Sequence, residues 1–399
     1  MLGIAHPPGY AFYTLLAKVW QTVVPIGTVA FRTNLLAAAV GAWAVTAVYL
    51  APAELTPGWL PPLFAALSLA AAPDFWQHAI HANAHIVSGG LAATHLWLLL
   101  RWQRTADDRY LTAFAVMLGL AATHPPITLM GLPAYGIFLL AVRPPLLRQW
   151  RRLLWPAGGF LLGLTPLLYY PLRSPSAPFG PTDMRTWAGF WRHVTAQGLR
   201  VNLFHFGWAD QWDRAVVFWS LLRLQFPILT IGFIVAGAVY LARRAPRPAL
   251  LLGTFVAAHL LFTLNTVQDV MAYLLLPFAA LSVVAGMGVQ ALVERFTVRR
   301  LAPAVCSLVL LLPTLRGAAD LRQGVALRDF TAADEWVADL EAHFGGQGRG
   351  AVLLSDWEHL TPLWVHLYTA GEHLAPEDVR PVYISTSTPW AESVWQHIE

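Results

Sequence analysis

Histidine stands before a proline pair twice in this chain of 399 residues, in His6-Pro7-Pro8-Gly9-Tyr10 and in Thr123-His124-Pro125-Pro126. Each proline pair stiffens a turn and presents a titratable ring beside it. The plain alternatives are a turn before a helix for the first and a capping residue for the second. Asp74 opens a third stretch, Asp74-Phe75-Trp76-Gln77-His78, which runs on to His81 and His85. At i, i+3 and i+7 these histidines fall on one face of a helix entering the membrane, which suits a metal, a proton relay or interfacial packing. No metal is assigned to them, and any divalent metal requirement is left open. Asp269, one turn before Tyr273, fits a helix cap or a polar group at a helix mouth. The loop containing Arg173, Arg192 and Arg200 supplies guanidinium forks, which suit a phosphate or an anionic headgroup.

The elements that must position these groups belong to a membrane protein. The chain is 57% hydrophobic and 12% charged, with a mean hydropathy of +0.52, outside the range of soluble domains. Ten apolar segments are predicted as spans, near 34 to 52, 57 to 73, 84 to 100, 109 to 122, 126 to 142, 153 to 170, 224 to 242, 248 to 265, 271 to 293 and 300 to 315. Prolines 57, 61 and 62 weaken the second, and the His124 turn makes the fourth and fifth either spans or a re-entrant hairpin. Loop arginines at 101 to 109, 143 to 152, 243 to 247 and 295 to 300 alternate as cytoplasmic loops do. Residues 1 to 33, the long loop 171 to 215 and the tail then face outward. The five arginines of that long loop run against the bias.

Residues 1 to 315 hold 21 Arg and Lys against 9 Asp and Glu, whereas 316 to 399 hold 5 against 13. The expected organisation is therefore an outer segment 1 to 33 with a surface helix over Tyr10 to Val23, a transmembrane domain 34 to 315, and an acidic outer segment 316 to 399. That tail reads as helix Thr331 to Phe344, strand Ala351 to Ser355, helix Leu360 to Ala370 and strand Val382 to Ser385, a small α/β unit. The single cysteine, Cys306, excludes disulfide and CxxC chemistry. Without GxGxxG, Walker, GxSxG or HExxH patterns, nucleotide, serine-hydrolase and zinc-protease readings have no support. Basic residues next to lipid explain the charge better than nucleic acid does. Residues 1 to 33 face outward with no signal peptide or span before them, so an N-terminally incomplete copy of a longer protein is expected.

Stretches in a fixed order carry a resemblance. LGIAHPPGYAFYTLLAKVWQTVVPIGTVAFRTNLLAA, PDFWQHAI, GLAATHPPITLMGLPAYG, YYPLRSPSAPFGPTDMRTWAGFWRHVT, AYLLLPFAALSVVAGMG and GAVLLSDWEHLTPLWVH resemble a bacterial polytopic membrane family of unknown-function domain. That family is related to the C-type (GT-C) glycosyltransferases and to an animal transmembrane protein O-mannosyltransferase. The resemblance implies a mostly α, GT-C-like bundle in the bacterial cell membrane that transfers a sugar, a hexose such as mannose, from a polyprenyl-phosphate donor to a protein or lipid acceptor outside. It implies a general base in an Asp-x-Gly-Glu element upstream of the HPPGY turn, and a glutamate followed by an aromatic where this chain has HAIHANAH. Neither stands in this sequence. Asp74 is then the acid able to act as base, with His6 and His124 beside the reaction centre and Arg173, Arg192 and Arg200 as donor-phosphate candidates. Pro7, Pro8, Gly9, Tyr10, Trp76, Asp269 and Tyr273 are expected to shape or line the site. The competing readings are a transporter or flippase of a lipid-linked or metal substrate, using helices broken at proline, and a scaffold paralogue whose acidic tail binds a partner.

Overall fold

The computed structural model describes residues 2–5, 7–177, 182–267, 270–295, 331–348, 350–355, 357–367, 374, 375 and 377–383. They fall into two compact units, residues 2–325 and 326–399.

The larger unit is a helix bundle. In order it comprises α1 (Ala11–Val23), α2 (Val29–Ala53), α3 (Leu60–Ala70), α4 (Pro73–Ile80), α5 (His85–Thr105), α6 (Asp108–Ala122), α7 (Leu132–Val142), α8 (Leu154–Gly163), α9 (Tyr169–Arg173), α10 (Trp187–Val194), α11 (Gln211–Gln225), α12 (Ile228–Arg244), α13 (Pro246–Asn265) and α14 (Val270–Arg295). Local chemistry sets several starts. The side-chain oxygens of Thr28, Asp107 and Thr186 accept backbone N–H groups at the heads of α2, α6 and α10. Proline occupies the first turn of α3, α4, α7 and α13, where its missing N–H is not needed.

The core runs along α5 and α14. In α14 almost every residue from Leu274 to Val289 is buried, as a helix apolar on all sides must be. Helices α2, α3, α12 and α13 pack around that axis, and α6 pairs with α8. At one end of the bundle Glu54, closing α2, meets Arg101 at 3.2 Å and Arg104 from the end of α5.

Each expected span among the described residues coincides with helical structure; 300 to 315 lies outside the described residues. Among the described residues four helices are long and apolar enough to cross a bilayer alone, Val29–Ala53, Trp150–Ser176, Pro246–Asn265 and Val270–Arg295. A bent pair, Trp208–Gln225 with Ile228–Arg244, makes up to five, the two arms turning by 109°. By contrast α3, at 11 residues, extends only about 17 Å against a hydrocarbon core of roughly 30 Å. The segment 171 to 215, expected as a long outer loop, is partly helical, containing α10 and the first five residues of α11.

The smaller unit holds α15 (Ala332–Phe344), β1 (Ala351–Ser355), α16 (Trp357–Val365) and β2 (Val379–Tyr383). The strands are parallel, Ala351 opposite Val379 and Ser355 opposite Tyr383, as a helical crossover requires. Strand β2 starts three residues earlier than expected, and residues 384 and 385 of the expected strand lie outside the described residues. Helix α16 starts at Trp357 rather than Leu360, and residues 368 to 370 are likewise outside.

Candidate active site

The Pro7-Pro8-Gly9-Tyr10 turn is clamped by a segment some 160 residues away. Gly9 has φ +75°, and a Cβ there would fall on the Tyr170 hydroxyl and the His193 ring, so glycine alone fits. The Tyr170 hydroxyl accepts the Ala11 N–H at 3.1 Å and donates to the Pro8 carbonyl at 3.4 Å. Its ring lies 4.9 Å from that of His193. Next to it the Tyr169 hydroxyl donates to the Gly3 carbonyl at 2.6 Å, and Arg173 Nε to the Leu2 carbonyl at 2.9 Å. This clamp directs Tyr10 and Phe12, at the head of α1, toward the bundle.

Asp74 is 2% exposed and sits in the first turn of α4, where the helix dipole favours a carboxylate. Its Oδ1 is 3.2 Å from His78 Nδ1, which also lies 2.9 Å from the Asp74 carbonyl. From the far side Gln225 Oε1 accepts the Asp74 N–H at 2.9 Å. The expectation of one helix face for His78, His81 and His85 is corrected here. Helix α4 stops at Ile80 and α5 begins at His85. Asn83 organises the break: its Nδ2 donates to the carbonyls of His78 and His81, and its Oδ1 accepts the Ile86 N–H. Asn34 Oδ1 anchors the same turn through the Ala82 N–H at 2.8 Å.

The break turns His85 inward to join rings from four segments. His85 lies 6.2 Å from His78, 6.4 Å from Tyr10 and 5.6 Å from Tyr273. His124 lies 6.3 Å from Tyr10 and 5.7 Å from Phe12. The His124 turn is held by Thr128, whose hydroxyl donates to the carbonyls of Ala121 and Pro125. Neither His124 ring nitrogen has a hydrogen-bond partner among the described residues. Burial, with a smaller contribution from His85, drives its pKa down to about 3, so the ring is neutral at neutral pH. Burial pushes the Tyr10 hydroxyl up to about 12, making it a donor rather than a base.

Tyr273 also lines a cavity of 430 Å³, with Pro8, Asn202 and Arg200 among its polar and turn-forming walls and Ile127, Phe204 and Phe262 among its apolar ones. The ring cluster and the cavity meet at Tyr273. Of the three arginines, Arg200 reaches this cavity and donates to Thr195 Oγ1 at 3.2 Å. Arg173 is spent on the chain's own backbone, and Arg192 pairs with Asp183 at 3.4 Å on the exposed side of α10. Trp76, two residues past Asp74, is 42% exposed. His6 and Asp269 lie outside the described residues. Gln225, Asn83, Tyr170 and His193 escaped notice as site residues. A glutamine beside Phe226-Pro227 at the head of an apolar run was the available signal for the first. The others reveal themselves only through tertiary contacts.

Residues 1–146 match the family model described as the protein O-mannosyl-transferase TMEM260 N-terminal domain. The protein O-mannosyl-transferase TMEM260 of Mus musculus is 27% identical over 202 residues, covering 48% of this chain and 28% of the mouse protein. Its namesake from Dictyostelium discoideum is 26% identical over 117 residues, covering 28% of this chain and 14% of that protein. The matched stretches thus span under two thirds of either relative. Among solved structures, ArnT from Cupriavidus metallidurans bound to undecaprenyl phosphate superposes with a TM-score of 0.63 at 15% identity, over 99% of this chain and 79% of that one. The Archaeoglobus fulgidus oligosaccharyltransferase in complex with Zn and sulfate superposes with a TM-score of 0.56 at 15% identity, over 94% of this chain and 54% of that one. The fold is therefore that of the GT-C helix bundle, and the first three of the quoted stretches fall within the residues that the family model matches.

Proposed function

We propose that this chain is a membrane glycosyltransferase that moves a hexose such as mannose from a polyprenyl-phosphate donor to a hydroxyl of a protein or lipid acceptor on the extracytoplasmic face. One observation carries the reading: a buried carboxylate, Asp74, held from both sides, stands in a ring cluster that shares Tyr273 with a cavity bearing Arg200. In the reaction the acceptor oxygen forms a bond to the anomeric carbon as the bond from that carbon to the phosphate oxygen breaks. The acceptor proton passes to Asp74, and the lipid phosphate leaves with one more negative charge. Asp74 acts as general base, with His78 fixing its carboxylate. Arg200 offsets the charge gathering on the leaving phosphate. His124, neutral and buried, packs against Tyr10 at the reaction centre, and His6 is assigned beside it from the sequence alone.

Support comes from the GT-C fold and from the likeness to the mouse protein O-mannosyl-transferase. The test is transfer of labelled mannose from a polyprenyl-phosphate donor in membranes expressing this chain, beside a version extended upstream by the acidic loop that the resemblance implies. Transfer by the given chain upholds the proposal. Transfer by the extended form alone overturns Asp74 as base and retains the class. Donor crossing the bilayer without transfer favours the flippase reading instead.

A further inference from the structure

A second cavity lies far along α12 and α14, away from the ring cluster. The two helices cross backbone to backbone: a Cβ on Gly237 would fall on the Val284 carbonyl, and one on Gly288 on the Phe233 carbonyl. Small residues permit such an approach between helices in lipid. Beyond the crossing a cavity of 530 Å³ opens between the helices toward their C-terminal ends.

Its polarity is graded along its length. The inner walls are Phe233, Ala236, Val239, Ala291 and Leu292, and the outer rim carries Arg243, Arg244 and Arg295. Glu294 is the one carboxylate in the lining, and it is engaged by Tyr240, whose hydroxyl donates at 2.6 Å, and by Gln290 Nε2 at 2.9 Å. None of the three arginines makes an ion pair among the described residues. The rim is therefore net positive at the arginine-rich end of two apolar helices, the end that the loop arginines assign to the cytoplasm.

An apolar slot capped by cations matches one occupant, a lipid with an anionic head. Acyl carbons displace no hydrogen bonds from the inner walls, and a phosphate finds guanidinium groups at the depth where headgroups lie. We propose that this groove binds an anionic phospholipid, with an acyl chain against Phe233, Ala236 and Leu292 and the phosphate among Arg243, Arg244 and Arg295. The site is separate from the donor cavity, so it stands whether or not the transferase reading does.

Native mass spectrometry of the full chain in detergent tests it, with phosphatidylglycerol, phosphatidylcholine of the same acyl chains, and inorganic phosphate as probes. The expected result is retention of phosphatidylglycerol over phosphatidylcholine. The triple variant R243Q/R244Q/R295Q should bind phosphatidylglycerol on the order of a hundredfold more weakly, since three arginines each contribute about 1 kcal/mol of headgroup attraction and about 1.4 kcal/mol is a factor of ten. Ala291→Trp, which fills the slot and leaves the arginines, should weaken it as well, whereas R148Q/R151Q should not. Equal retention of the two lipids overturns the proposal, as does an unchanged affinity in both groove variants. Competition by millimolar inorganic phosphate as strong as by the lipid replaces the lipid with a free anion and overturns it too.

Discussion

Gln225 Oε1 accepts the N–H of Asp74 at 2.9 Å, across 151 positions of chain. Gln225 closes α11 just before the 109° elbow into α12, and Asp74 stands in the opening turn of α4. The elbow therefore fixes the first turn of the helix that carries the candidate base.

Gln225→Ala removes that acceptor and leaves the Asp74 N–H buried, since both residues are 2% exposed. A lost partner for a buried donor costs about 1–3 kcal/mol. The thermal midpoint in detergent should fall accordingly, and transfer should slow in kcat with the donor KM unchanged, because the carboxylate shifts and the cavity does not.

The Gly9 turn makes a sharper demand. Gly9→Ala puts a side chain at φ +75° and onto Tyr170 and His193, and it should destabilise by about 1–3 kcal/mol. Tyr170→Phe removes the hydroxyl that accepts the Ala11 N–H and relieves no clash with the native glycine. Its midpoint should drop less than that of Gly9→Ala. Thermal denaturation of both variants checks the order.

Acid should find His124. Its folded pKa of about 3 lies below the ordinary histidine value of 6.5, so the unfolded chain binds the proton more readily than the fold does. The fold is unaffected by this group above about pH 6.5 and loses stability as pH falls from there toward 3, by about 1.4 kcal/mol per unit. His124→Asn should therefore lose less stability than the native chain between pH 7 and pH 5, a difference on the order of 2 kcal/mol. Parallel acid curves for the two proteins would contradict a neutral buried ring.

Glu54 pins the opposite end of the bundle. Its side chain is 5% exposed and meets Arg101, Arg104 and the Trp97 indole. Glu54→Ala should cost about 1–3 kcal/mol. Arg104→Ala should cost under about 1 kcal/mol, because Arg104 is half exposed and Arg101 remains. Denaturation midpoints of the two variants give the comparison.

Apolar runs made most of the bundle legible: α2, α5, α12, α13 and α14 fall where continuous hydrophobicity placed them, because in lipid the solvent itself selects such segments. Helix α11 was hidden, since Asp213, Arg214 and Arg223 interrupt its apolar residues, and only its first five residues fall in the expected loop and its last two in the expected span from 224. The break between α4 and α5 was equally invisible. Periodicity continues through His81, and only the Asn83 side chain, spending its amide on three backbone groups, ends the helix. In the site, Asp74, His124, Tyr10 and Tyr273 were legible as polar groups beside prolines or at helix ends, and the structure gathers them. The arginines were not separable by sequence. Charge and loop position are alike for all three, whereas the bond from Arg173 to Leu2 and the exposure of Arg192 are tertiary facts.

The most direct measurement is single-turnover mannose transfer by purified Asp74→Asn against the native chain, with donor binding followed in parallel. Loss of the base should lower the rate by about 10²–10⁴-fold while the donor still binds, since asparagine keeps the shape and the Asp74 backbone bond to Gln225. Transfer by Asp74→Asn at the native rate would contradict the central claim.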